Sequence, residues 1–283
     1  MIKKERQKLS LLEWFLYLIL IIFAWLTLGR RLTAAFTYLI ARCGFCLSPL
    51  LFYVNQHLHF LVLFALLLLF IYKVLNGSLR SYLSDAPRFR WNLFFFAFLV
   101  WLVALTALVL ITLIFVPGSV KLVRPQNLLN RLIFMVIALV ITPIQCLAEE
   151  LLFRSSLWQM FKASVKNRVL LSLISALFFA LFHLSNLEVT SANFRIGVIL
   201  YYFLVGFCFM LMNALHKGTE GALGAHIANN LFLALIVNYQ NSSLISDAWF
   251  ILTKTTTWAD YLLLIICALI VIRYGARMIY AEE

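Results

Sequence analysis

Long apolar runs separated by short polar links set the pattern of this chain. Stretches without formal charge cover 14–29, 91–120, 132–148, 169–187 and 196–216. Each is close to or above the roughly 17 to 25 residues that a helix needs to cross a hydrocarbon core. Extending the pattern gives candidate helices near 12–29, 33–54, 58–75, 92–116, 131–153, 168–187, 196–215, 220–238 and 258–276. The clearest breaks are "NGSLRSYLSDAPRFR" at 76–90, "PGSVKLVRPQN" at 117–127 and "NYQNSSLISD" at 238–247. The expected fold class is all-α, a polytopic transmembrane helical bundle. About eight membrane-spanning helices are expected rather than nine, because Arg42 divides the segment 33–54, which also contains Pro49. That segment is read as the one that does not cross, through a re-entrant path or through a snorkelling or paired Arg42.

Composition supports a membrane solvent. Of 283 residues, 64% are hydrophobic and only 12% charged, more apolar surface than a soluble domain of this length can hide. The net charge of +12 does not indicate nucleic acid, because Lys and Arg gather in the links, as they do on the cytosolic side of membrane proteins. Lys3, Lys4, Arg6 and Lys8 place the N-terminus in the cytosol, and Arg273 and Arg277 place the C-terminus there too. The first apolar run is too long for a signal peptide and lacks a small-x-small cleavage site, so an uncleaved helix is expected. Cys43 and Cys46 form a C-x-x-C, read here as two small residues in a helix rather than a redox or metal motif. The domain reading is 1–129 for N-terminal helices, 130–238 for a core segment, and 239–283 for a C-terminal loop and helix.

Against this background the polar residues within apolar runs carry the information. "EELLFR" puts Glu150 and Arg154 four apart on one helix face, where they pair, and turns Glu149 about 100° away. An unpaired carboxylate in a low-dielectric interior suits a general base. "FALFH" places His183 in an uncharged helix, with Asn186 following. "HIANN" places His226 and Asn230 on one face, and an imidazole beside a carboxamide is the inventory of an oxyanion hole. Singly, each has an ordinary reading as an ion pair, a packed histidine or interhelical glue. The other polar candidates are Arg42, Lys73 and the pair His57 and His59, the last two expected in a loop and incidental to the site.

This ordered set resembles the CPBP family of intramembrane proteases, which includes the CAAX prenyl endopeptidases and the bacteriocin-processing and self-immunity proteins. The family pattern E-E-x-x-x-R, F-x-x-x-H, H-x-x-x-N reads here as 149–154, 179–183 and 226–230, and the resemblance covers about 130–235. It implies an intramembrane endopeptidase of the glutamate type acting on a membrane-associated protein or peptide. Glu149 and His183 would activate water, His226 and Asn230 would form the oxyanion hole, and Glu150, Arg154 and Phe179 would support the site. No cofactor is expected; the alternative is zinc held by Glu149, His183 and His226, a ligand set that leaves room for a water. A proton or ion pathway and a non-catalytic immunity protein are the alternatives outside enzymology. The catalytic reading expects Glu149 and His183 to share a water. That requires the fifth helix either to continue through "RSSLWQMFKA" or to bend at Pro143.

Overall fold

The computed structural model describes residues 9–44, 48–125, 127–253 and 257–280. The chain is an all-α bundle with one small sheet. Helix α1, Leu11–Arg42, starts at a Ser10 cap whose hydroxyl accepts from the Glu13 amide, while Glu13 bonds back to the Ser10 amide. Such a reciprocal cap satisfies two otherwise orphaned donors. Helix α2, Pro49–Leu69, begins with Pro after the Ser48 cap and runs into a π-helical turn at Phe70–Val74. The remaining helices are α3 (Leu79–Leu83), α4 (Trp91–Phe115), α5 (Leu128–Glu150), α6 (Leu157–Phe161), α7 (Arg168–Phe182), α8 (Leu187–Thr190), α9 (Arg195–His216), α10 (Glu220–Leu235) and α11 (Thr257–Tyr280).

Among the described residues, six helices are long and apolar enough to cross a membrane: Leu11–Arg42, Pro49–Val74, Trp91–Phe115, Leu128–Phe161, Arg195–His216 and Trp258–Ile279. Eight crossings were expected. The other two expected crossings, α7 and α10, have 15 and 16 residues, about 22 to 24 Å at 1.5 Å per residue, short of a core about 30 Å thick. Both end where the backbone turns irregular beside a cavity, a setting in which non-helical chain is tolerated at membrane depth. Segment 33–54 is not an element of its own. Its first part completes α1, its last part opens α2, and Arg42 sits exposed in the final turn of α1 with its guanidinium 5.9 Å from the Tyr38 ring. A correction also applies to His57 and His59, which lie on α2 and not in a loop. Cys43 is exposed with a free thiol; Cys46, Lys3, Lys4, Arg6 and Lys8 lie outside the described residues.

Apolar side chains face outward along these helices, among them Phe115 and Ile114 on α4 and Leu12 on α1, as expected where lipid is the solvent. Close helix crossings rely on glycine. A Cβ on Gly206 of α9 would lie 2.7 Å from the Ala176 Cα on α7, and one on Gly224 of α10 would lie 2.2 Å from the Phe94 carbonyl oxygen on α4.

The two ends of the bundle differ. One carries a three-stranded sheet of order β1 (Val120–Leu122), β3 (Phe250–Leu252), β2 (Val237–Tyr239), antiparallel for β1 with β3 and parallel for β2 with β3. Arg131 ties it down through Asp247 at 2.7 Å and the Trp249 ring at 4.7 Å. The other end is closed by polar contacts between loops. Arg90 makes a two-pronged pair with Glu220, at 3.0 and 2.8 Å, and donates to the His216 carbonyl at 2.9 Å. Tyr82 and Ser156, Ser155 and Thr219, and Lys162 and Asp85 join neighbouring elements there.

Candidate active site

Helix α5 supplies the central carboxylates. It continues without interruption past Glu150, through a π-helical turn at Leu151–Ser156, into α6, giving one span over Leu128–Phe161. The first of the two expected routes therefore holds, and Glu149 lies inside the bundle with 5% exposure. A π turn inserts one residue into the helical repeat and is common at functional sites.

Glu150 and Arg154 pair as the i,i+4 spacing requires, at 3.2 Å, both with 0% exposure. The guanidinium lies 4.3 Å from the Phe179 ring, 5.4 Å from that of Phe209 and 5.9 Å from that of Phe153, so a cation inside an apolar bundle meets one carboxylate and three aromatic faces. Phe179 also packs on His183, with ring centres 4.2 Å apart. Glu150 has a second partner that its pairing with Arg154 did not suggest. Its Oε1 accepts from His226 Nδ1 at 2.8 Å, which makes it the orienting group behind the imidazole as well as an ion-pair member.

Glu149 faces the other edge of that ring, with its Oε2 3.8 Å from His226 Nε2. Gln145, one turn earlier, donates to Glu149 Oε1 at 3.0 Å. Asn230 brings its amide nitrogen to 3.5 Å from His226 Nε2. With Nδ1 committed as a donor to Glu150, a neutral His226 presents an acceptor at Nε2. It becomes an oxyanion donor only as imidazolium, a form that the Glu149 and Glu150 carboxylates on its two sides favour. This refines the expected pair of donors: Asn230 donates in either state, His226 only when protonated.

His183 caps the end of α7 instead of lying within a helix. Its Nδ1 donates to the Phe179 carbonyl at 2.7 Å and its ring stacks on Tyr202 at 4.3 Å, leaving Nε2 as an acceptor. Asn186 bonds Tyr202 Oη at 3.0 Å. Tyr202 in turn donates to Glu188, which also accepts from the Ser243 amide at 2.8 Å and from its hydroxyl. Burial pushes the phenol of the neighbouring Tyr239 upward, and the Glu188 charge adds to the effect.

Glu149, His183, His226 and Asn230 line one cavity of about 790 Å³, together with Gln145, His57 and His59, and with Asn186, Glu188, Ser191 and residues 237–244 at the sheet end. Gln145, Glu188, Tyr202 and the two α2 histidines were not selected from sequence. Gln145 was accessible to that reasoning, being on the Glu149 face at i−4; the others come from distant segments with no local signal. Among the described residues, no group of three or more His, Cys, Asp or Glu is placed to hold a metal ion.

Comparison with known proteins bears on this region. Residues 128–232 match the family model of the type II CAAX prenyl endopeptidases, Rce1-like. This segment is similar to that family. The match agrees with the CPBP resemblance carried by the three motifs. The matched segment contains every motif residue, from Glu149 to Asn230, with helices α5 to α9 and most of α10. YyaK of Bacillus subtilis (strain 168), itself described as uncharacterized, is 30% identical over 169 residues. That alignment spans 60% of this chain and 56% of YyaK, so the similarity covers a little over half the length of that protein. No solved structure matches the chain.

Proposed function

We propose that the chain is an intramembrane endopeptidase that hydrolyses a peptide bond by carboxylate-activated water. The observation that carries the reading is the convergence of Glu149, His183, His226 and Asn230 from three helices on one cavity inside an apolar bundle. The Rce1-like match of the same segment supports it.

In this reading a water donates one hydrogen bond to Glu149 and one to His183 Nε2, both of them acceptors. Glu149 takes a proton as the oxygen attacks the carbonyl carbon. The negative charge that develops on the carbonyl oxygen meets the Asn230 amide and the His226 imidazolium, whose charge Glu150 stabilises from behind. Removing one such donor typically costs about 10² to 10³ in kcat. Glu149 then passes its proton to the departing nitrogen, which completes the cleavage. No step uses a metal, and zinc dependence is the competing reading.

The reading includes an orientation. Lys162, Lys166, Arg168, Lys217, Arg273 and Arg277 belong to the closed end of the bundle together with the 76–90 link, which by the distribution of basic residues faces the cytosol. Both termini then lie on that side, and the cavity approaches the opposite surface. Thiol labelling of single cysteines introduced at Ser164 and Ser191 checks this: a membrane-impermeant reagent added to intact cells should reach the second and not the first.

The decisive experiment compares cell-surface and secreted peptides between wild type and Glu149→Gln at equal accumulation. A peptide that keeps its full length only in the variant identifies the substrate. Unchanged processing in Glu149→Gln refutes the proposal, and the ion-pathway and immunity readings then regain priority.

A further inference from the structure

His57 adds to the site a feature that the four motif residues do not include. It lies on α2 with 3% exposure, and its Nδ1 is 2.7 Å from the Tyr53 carbonyl oxygen. A carbonyl only accepts, so the proton is on Nδ1 and the neutral ring offers a lone pair at Nε2. That nitrogen is buried and has no hydrogen-bond partner. Gln145, facing the same ring, is 9% exposed and has its amide orientation fixed because only its NH2 group can donate to the Glu149 carboxylate. Its Oε1 is likewise buried and without a partner. Both residues line the cavity beside Glu149.

Two acceptors that face each other, neither with a well-formed hydrogen bond among the described residues, therefore stand next to a carboxylate on the wall of a cavity. Buried polar groups are almost always satisfied, so their complement comes from what enters. A primary ammonium has three N–H donors and a positive charge, and three acceptors of net negative charge await it. We propose that His57, Gln145 and Glu149 form a subsite for a peptide α-amino group, the one released when the scissile bond breaks. The inference rests on the endopeptidase reading, in which Glu149 delivers a proton to that same nitrogen. His57 would then be a residue that holds the leaving side of the substrate and is not part of water activation.

The test is a binding measurement with the full chain in detergent micelles, using trileucine amide with a free amino group and its N-acetylated counterpart as probes. Wild type should bind the free amine about tenfold more tightly, the effect of one well-made hydrogen bond to a charged group. His57→Phe should weaken the preference several-fold and leave binding of the acetylated probe unchanged. His57→Gln, whose carboxamide oxygen restores an acceptor, should recover most of it, which a merely structural role for the ring would not predict. His57→Leu replaces the Phe variant if that one fails to accumulate. Equal affinity for the two probes in wild type, or a full preference surviving in His57→Phe, overturns the subsite. Persistent cleavage in Glu149→Gln would overturn the endopeptidase reading instead, and the two failures are separable because the probes are bound and not cleaved.

Discussion

Removing the charge of Glu150 tests the arrangement behind the site most directly. At 3.2 Å from the Arg154 guanidinium, a unit charge pair is worth about 5 kcal/mol at an effective dielectric of about 20, before desolvation is counted. Both side chains have 0% exposure, so neither can turn to water when the other is lost. Glu150→Gln leaves Arg154 charged, buried among phenyl rings and without its nearest carboxylate, and the expected cost is about 3 to 5 kcal/mol. Arg154→Met leaves Glu150 with His226 alone and should cost a similar amount. The double variant removes both charges and replaces them with groups that need less solvation. It should therefore be more stable than either single variant, with a coupling of about 2 kcal/mol or more. Unfolding by SDS titration in mixed micelles measures all four proteins. Strictly additive losses, or single variants within about 0.5 kcal/mol of wild type, would refute the idea that this pair is a closed electrostatic unit. Activity gives an independent readout. The carboxamide introduced by Glu150→Gln can still accept from His226 Nδ1 but no longer stabilises an imidazolium, so the stable double variant should remain inactive.

Other consequences follow from the same geometry. Asn230→Ala should lower kcat by about 10² to 10³ with KM nearly unchanged, because its amide is used only when charge develops on the carbonyl oxygen; a matching rise in KM would assign it to substrate binding. Hydrolysis should survive dialysis against a strong chelator, and inactivation with recovery on adding zinc would establish the zinc reading in place of the glutamate one. Gly224→Val should destabilise the bundle by a few kcal/mol, since even its Cβ would lie 2.2 Å from the Phe94 carbonyl oxygen; a thermal midpoint equal to wild type would show that α4 and α10 can separate at no cost. Gly218→Ala should loosen the closed end, where a Cβ would fall 2.3 Å from both Arg90 Nη2 and Glu220 Oε2, and proteolysis of the 76–90 link reads the effect.

Much of this was open to inspection in the linear chain. An apolar run longer than the hydrocarbon thickness has few alternatives to a helix, because lipid offers its backbone no hydrogen bonds. The pairing of Glu150 with Arg154 follows from helix pitch alone, as does the separation of Glu149 from them. The three motifs, lying in order on apolar helices, sufficed to suggest a family. By contrast, the boundary between the first two helices was placed too early, since no break signal distinguishes 29–33 from a continuing helix; the turn came only after Arg42. The two shorter helices were overextended for a related reason. Apolar content cannot tell a full crossing from a segment that stops inside a cavity.

What the sequence by itself determined is local: which stretches are helical, which residues share a face, and which polar groups lipid makes costly. Only the tertiary structure decided who meets whom. It brought Glu150 to His226 across 76 positions of chain, turned His57 from a loop residue into a cavity wall, and set Glu188 among Tyr202, Asn186 and Ser243. The physical reason is that helix pitch fixes neighbours within four residues, while contacts between helices depend on crossing geometry. Here that geometry is set by buried small residues such as Gly206 and Gly224 and by the packing of whole apolar faces, neither of which any single motif records.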